Sequence, residues 1–214
     1  MKLYTYFHSS ASYRVRIALN YKGIAHDEAY IHLQKAEQSA PAFKALNPAG
    51  LVPALEDAAH VLSQSLAIIE YLDEACPGPR LMPQDPLARA YVRAFSQVIA
   101  CEIHPVNNLR VLNHLRQAYH LDQDAINDWY RHWIAEGFAM MEGMLQREKR
   151  VGRYVLGDDI TMADCCLVPQ VFNAQRYKCD LTAYPTVMRI HEACSQLAPF
   201  AAAHPMKQPD APKS

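Results

Sequence analysis

Neither sign of charge dominates this 214-residue chain: 21 basic and 22 acidic side chains leave a net charge of −1. A balance this close to zero excludes the basic footprint of a nucleic-acid binder and of a protein held on an acidic membrane surface. Long apolar runs are also missing, since no stretch of about 18 or more uncharged apolar residues occurs to span a bilayer. The opening residues Met1-Lys2-Leu3-Tyr4-Thr5-Tyr6 alternate like a strand and lack the apolar block of a secretory signal. Metal-ligating spacings are absent as well. The six cysteines (Cys76, Cys101, Cys165, Cys166, Cys179 and Cys194) never form C-x-x-C, and the ten histidines form neither H-x-x-x-H nor H-E-x-x-H. Neither a metal site nor a disulfide framework follows from them. A reduced, cytoplasmic chain with no nucleic-acid or membrane partner is the expectation.

What is present divides into two textures. Residues 3–7 read as a strand, a helix starts near Ser10–Ser12 and runs to Tyr21, stopped by Lys22-Gly23, and His26–Leu33 reads as a second strand. A short helix around Pro41–Leu46 follows, then two strands, Leu51–Leu55 and His60–Leu62, and a helix Leu66–Leu72 preceded by Ser65. This β-α-β-α-β-β-α order implies a sheet with helices on its faces. Four prolines within the eleven residues Cys76–Pro86 then mark a linker. Beyond Leu87 the periodicity is helical almost throughout. The partition expected is therefore an α/β domain over 1–76, a linker over 77–86, and an all-α domain over 87–214.

In the helical half, Tyr91, Ala94, Phe95, Val98 and Ile99 form one apolar stripe. Ile126, Trp129, Trp133, Phe138, Met141 and Leu145 form another. Thr161 and Asp164 have capping-box spacing, which predicts a central buried helix and assigns Asp164 a structural role only. From Pro199 onward the Ala/Pro-rich composition suggests a loosely held tail.

The segment Asn47–Leu72 offers the first candidate site. Pro53 cannot donate to a sheet ladder, so the backbone of Val52 beside it is left to pair with something extended, and an X-Pro bond here suits a cis peptide. Ser65, read as a helix N-cap, places free N–H groups where an anion can bind. An unpaired strand edge beside an anion-binding helix end suits a short peptide carrying a carboxylate, although a plain hairpin feeding a helix would look the same. A second candidate is the turn Ser9-Ser10-Ala11-Ser12, where a hydroxyl backed by the helix dipole can donate to a thiolate. An ordinary serine cap is the alternative. Arg14 and Arg16 fit either ligand clamps or ion-paired surface groups.

Ser9-Ser10-Ala11-Ser12-Tyr13-Arg14-Val15-Arg16-Ile17-Ala18-Leu19 resembles the S-S-C-S-W-R-V-R-I-A-L signature of zeta-class glutathione transferases. Further matches in register are Ala45–Pro48, Val52–Leu55, Gln64–Leu72, Ile103–Pro105 with Asn107-Asn108, Ala163-Asp164 and Val168–Gln170. They extend to about Pro209, so the whole chain is covered. The resemblance implies a thioredoxin-like N-terminal domain, an all-helical C-terminal domain and a homodimer that uses glutathione. It implies that Ser9, with Ser10 beside it, stabilises the thiolate, that Val52 pairs with the cysteinyl backbone, and that Gln64 and Ser65 take the γ-glutamyl carboxylate. His104 and Asn108, one helical turn apart, fall near glutathione and the substrate. The resemblance further implies that Arg110 and Arg176 grip substrate carboxylates, a task suited to the guanidinium fork. Arg110 lies about 240° around an ideal helix from His104, so both face one pocket only if Pro105 distorts the helix or they approach from different sides.

Two departures stand out. Ala11 replaces the signature cysteine, which excludes a mechanism needing a protein thiol there. His8 stands where some relatives carry an arginine that contacts a substrate carboxylate, and His⁺ could partly stand in. The implied activity is glutathione-dependent cis–trans isomerisation of a small dicarboxylate, 4-maleylacetoacetate to 4-fumarylacetoacetate. Alternatives are maleylpyruvate isomerisation in gentisate breakdown, transfer to or dehalogenation of small α-halo acids, and a non-catalytic interaction protein.

Overall fold

The structure is a computed structural model that describes residues 1–212. Two compact units make up the chain, Met1–Met82 with the segment from Ser195 onward, and Pro83–Cys194.

The first unit is built on a four-stranded sheet. Its strands are β1 (Lys2–Thr5), β2 (Asp27–Tyr30), β3 (Ala54–Asp57) and β4 (His60–Ser63), in the order β2-β1-β3-β4. β1 and β2 run parallel, and the other pairs are antiparallel. The parallel pair requires a crossover, supplied by α1 (Ser10–Lys22). That helix ends where the sequence said it would: Gly23 takes the left-handed conformation at φ 68° and donates to Asn20 and Leu19 carbonyls. α1 packs on α3 (Ser65–Ala75), while α2 (Pro41–Leu46) covers a small apolar cluster through Phe43. β2 is shorter than expected, because the chain coils into a 3-10 turn at Leu33–Lys35. β3 also starts late. Pro53 has no N–H to give a ladder, so pairing begins at Ala54.

The second unit is all-helical: α4 (Pro86–Gln97), a π-helix (Val98–Ile103), α5 (Leu109–Tyr119), α6 (Gln123–Arg147), α7 (Met162–Arg176) and α8 (Pro185–Ser195). α7 is the central helix the capping box implied. Asp164 Oδ2 accepts from Thr161 N at 2.8 Å and Thr161 Oγ1 at 2.9 Å, and Oδ1 accepts from Val155 N at 2.9 Å. The apolar stripes shift by one position. Val92 and Ser96 replace Ala94 in the core beside Phe95 and Ile99, and Tyr130 and Ile134 are buried where Trp129 and Trp133 lie only at the margin.

Two expectations are corrected. The segment after Pro199 is not a loose tail. α9 (Ala198–Ala203) packs on α1 with Phe200 and Ala203 about 1% exposed, and burying a phenylalanine contributes roughly 1.5–3 kcal/mol. Residues 195–212 thus belong with the α/β unit rather than with the helices before them. The linker, too, is half spoken for: Leu81 and Met82 are buried, Leu81 N donates to Asp73 Oδ1 at 2.6 Å, and Lys22 Nζ donates to Pro79 O at 3.0 Å.

Candidate functional site

Sheet register assembles the first group of candidates. Tyr4 pairs with Ala54 and Ala54 with Ser63, so continuing both antiparallel ladders aligns Tyr6, Val52 and Ser65 at one end of the sheet. At that end β1 runs out into the Phe7-His8-Ser9 turn, Val52 waits outside the ladder before the cis Val52–Pro53 bond, and β4 runs into α3. Val52 packs with Tyr6, Phe7 and Phe43.

Ser9 is the N-cap of α1, with extended backbone (φ −73°, ψ 114°) and an Oγ that accepts from Ser12 N at 3.2 Å. The cap and a catalytic hydroxyl are compatible, because the cap uses a lone pair and leaves the hydroxyl proton to donate. Ser10 is the first helical residue and is buried, as is Ala11. His8 lies with its ring parallel to Phe7, centroids 5.1 Å apart and 6° between planes.

At α3 the sequence expectation needs amending. Gln64, not Ser65, is the N-cap, and it holds φ 71° and ψ 115° without making a side-chain cap bond. A non-glycine residue in this region carries strain, typically about 1–3 kcal/mol, and such outliers cluster at functional sites. Ser65 opens the helix, buried, with Oγ accepting from Arg14 Nη1 at 3.2 Å. Arg14 and Arg16 are therefore not surface groups: both are about 1–2% exposed. Arg16 donates to the carbonyls of Tyr6, Phe7 and Ala203 and to Thr5 Oγ1, at 3.0–3.3 Å. Burial lowers its pKa to about 10, against the pull of Glu28 and Asp210. It serves the frame and is not a clamp.

The second unit carries the other candidates. The π-helix ends at Ile103, residues 104–107 turn, and Asn108 caps α5 by accepting from Arg110 N at 3.1 Å. His104 and Asn108 consequently do not share a helical face, which corrects the one-turn expectation. The break occurs around Pro105, whose ring and missing N–H cannot continue a helix. Arg110 is exposed in the first turn of α5. Trp129 Nε1 donates to Val106 O at 3.0 Å and Asn107 Nδ2 to Tyr130 O at 3.4 Å, tying the turn to α6. Arg176 closes α7, bonded to Asn173 Oδ1 at 3.3 Å, with its guanidinium 5.1 Å from the Tyr177 ring centroid. Tyr177 stacks on Tyr130 at 3.5 Å and 5°. Tyr130 thus links the 104–110 turn to the Arg176 platform, and burial pushes its phenol pKa upward. Neither it nor Asp210 was a candidate from sequence. Tyr130 was masked by two neighbouring tryptophans, and Asp210 acts over a separation of 203 residues with no local signal.

Among the described residues no cluster of His, Cys, Asp and Glu suits a metal ion. No helix among them is long and apolar enough to cross a membrane.

Residues 8–75 match the family model for the glutathione S-transferase N-terminal domain. A maleylpyruvate isomerase from a Ralstonia species is 48% identical over 210 residues, 98% of this chain and 99% of that one. The holo structure of a maleylpyruvate isomerase, described as a bacterial glutathione-S-transferase in the zeta class, superposes with a TM-score of 0.97 at 48% identity, covering 99% and 100% of the two chains. A maleylacetoacetate isomerase from Methylobacterium extorquens AM1, with bound malonate and glutathione, superposes with the same TM-score of 0.97 at 41% identity, over 100% of both chains. With its thioredoxin-like sheet, its helical second unit and this likeness along essentially its whole length, the chain belongs to the zeta-class glutathione transferases, the family of the maleylacetoacetate and maleylpyruvate isomerases.

Proposed function

We propose that this chain is a glutathione-dependent cis–trans isomerase that converts 4-maleylacetoacetate to 4-fumarylacetoacetate. The observation that carries it is the strained Gln64 backbone beside a buried Ser65 that is itself backed by Arg14. The donor set fits glutathione. Val52, outside the β3 ladder, offers backbone to a peptide; Ser65 and the start of α3 offer O–H and N–H donors to a carboxylate. Related structures hold glutathione with small carboxylates, malonate in one case.

When bound, glutathione supplies a sulfur nucleophile that is returned unchanged, which is required because rotation about an intact carbon–carbon double bond is prohibitively slow. The protein's own part is electrostatic and positional. Ser9 donates its hydroxyl proton toward the sulfur and favours the charged form; lowering a thiol pKa by roughly two units from about 8.5 raises its ionised fraction at neutral pH from about 3% to about three-quarters. Ser10 supports that turn. The family resemblance gives His104 and Asn108 a part in holding glutathione and substrate, and gives Arg110, Arg176 and His8 the substrate carboxylates, a task suited to the guanidinium fork.

Ser9→Ala is expected to lower kcat/KM by roughly a hundredfold with folding intact, by analogy with removing one oxyanion donor. Near-normal turnover would remove Ser9 from the mechanism. Arg176→Ala should chiefly raise the substrate KM, and enzyme freed of glutathione should not turn over.

A second substrate, maleylpyruvate, is favoured by the 48%-identical Ralstonia relative. The two kcat/KM values, measured side by side with dichloroacetate as a transferase control, rank these activities. A cytoplasmic homodimer completes the proposal; sedimentation at micromolar concentration tests the dimer.

A further inference from the structure

We propose that Asp210 is a positioning residue for Ser9: the C-terminal segment returns to the start of the chain and its carboxylate fixes the turn on which Ser9 stands. Phe7 N–H donates to Asp210 Oδ2 at 2.8 Å. A carboxylate acceptor makes this stronger than a neutral backbone bond. The rest of the turn is held by Arg16, which donates to Tyr6 O at 3.3 Å and Phe7 O at 3.1 Å. The same guanidinium donates to Ala203 O at 3.3 Å, and Asn20 Nδ2 donates to Pro199 O at 3.2 Å, so α1, the turn and the C-terminal segment form one hydrogen-bonded frame.

The consequence for Ser9 follows from where the bonds fall. On its C-terminal side Ser9 is fixed by the helix, through Tyr13 N to Ser9 O at 2.9 Å and Ser12 N to Ser9 Oγ at 3.2 Å. On its N-terminal side Ser9 N donates to Tyr6 O at 3.0 Å, closing the turn, and the Phe7 N–H within that turn is secured by Asp210 alone among the described residues. Removing that acceptor frees the turn two residues before the hydroxyl while leaving the helix cap intact. The other carboxylate oxygen, Oδ1, is buried with no hydrogen-bond partner among the described residues. An unsatisfied buried acceptor is costly, and its retention calls for a compensating role.

This rests on the proposed role of Ser9 and is tested with it in a double-mutant cycle. Asp210→Ala is expected to lower kcat/KM about tenfold and to move the pH midpoint of thiolate absorbance from bound glutathione upward by about 0.5, since small misplacements of a donor cost much of its effect. Asp210→Asn retains a carbonyl acceptor and should lie between wild type and Asp210→Ala, which guards against a folding artefact. On the Ser9→Ala background, Asp210→Ala should cost less than about twofold further. Full additivity, or a lowered melting temperature with an unmoved thiolate midpoint, would overturn the positioning role alone. Normal turnover of Ser9→Ala would overturn it together with the role of Ser9.

Discussion

Arg14 Nη1 donates to Ser65 Oγ across 3.2 Å, joining the first helix to the opening turn of α3 in buried surroundings. The bond uses a serine lone pair, so the Ser65 proton is left to donate outward, just as the Ser12 N–H leaves the Ser9 proton. One logic thus serves both serines: a fixed donor behind, a free proton in front. Ser65→Ala should therefore raise the KM for glutathione about tenfold, the value of one hydrogen bond to a charged group, with kcat at saturating glutathione nearly unchanged. A fall in kcat at constant KM would mean that Ser65 acts in the chemical step instead.

Gln64 offers a trade between stability and binding. Its φ of 71° suits glycine, so Gln64→Gly relieves side-chain strain at a position where the native backbone is already glycine-like. The offsetting cost is the greater freedom of glycine in the unfolded chain, about 0.4–1 kcal/mol. The expected result is a melting temperature within about 3 °C of wild type, together with glutathione affinity lowered several-fold. If calorimetry finds affinity unchanged, the side chain of Gln64 plays no part in binding.

Local chemistry was legible in the sequence, and distant returns were not. Gly23 after Lys22, Thr161 with Asp164, and Pro53 beside Val52 each announce themselves within a few residues, and the structure forms all three. The tail misled because its anchors are nonlocal: Ala203 and Pro199 offer only backbone carbonyls, to Arg16 and Asn20, and carbonyls leave no compositional trace. The pairing of His104 with Asn108 failed for a different reason. Sequence periodicity assumes 3.6 residues per turn, whereas this segment widens into a π-helix and then breaks. At the first candidate site the residue types were readable, but the strain at Gln64 and the burial of Arg14 behind Ser65 emerge only from the folded register.

The edge strand β2 should give the first unit a pH signature. His26 Nε2 lies 3.8 Å from Glu28 Oε1, an ion-pair distance longer than a hydrogen bond. Contact with Glu28 is the main influence raising His26 above 6.5, and contact with His26 is the main influence lowering Glu28 below 4.5, aided by the Tyr30 hydroxyl. A raised histidine contributes stability below 6.5 that is lost as pH climbs through its folded value. A lowered glutamate contributes above 4.5 and loses that contribution as pH falls. Both hold together only between those limits. The melting-temperature difference between wild type and Glu28→Gln should peak near pH 5–6 and shrink by pH 8. A difference that is flat from pH 5 to 8 would show that the pair contributes nothing to folding.

Two glycines of α6 make opposite demands. Alanine is favoured over glycine in a helix interior by about 0.8–1 kcal/mol, so Gly→Ala should stabilise unless the new methyl collides. At Gly143 no described residue beyond the helix's own backbone lies within 4 Å of where a methyl would sit, and Gly143→Ala should raise the melting temperature by roughly 2–4 °C. At Gly137 the Cβ would overlap Cγ1 and Cδ1 of Ile103, the buried last residue of the π-helix. Overpacking typically costs about 1–3 kcal/mol, enough to cancel or reverse the propensity gain. Because Ile103 directly precedes His104, the displacement should pass into the 104–110 turn. Gly137→Ala is accordingly expected to lower the melting temperature and to raise the KM values for both the dicarboxylate and glutathione several-fold. Should Gly137→Ala behave like Gly143→Ala in both stability and kinetics, the π-helix does not set the position of that turn.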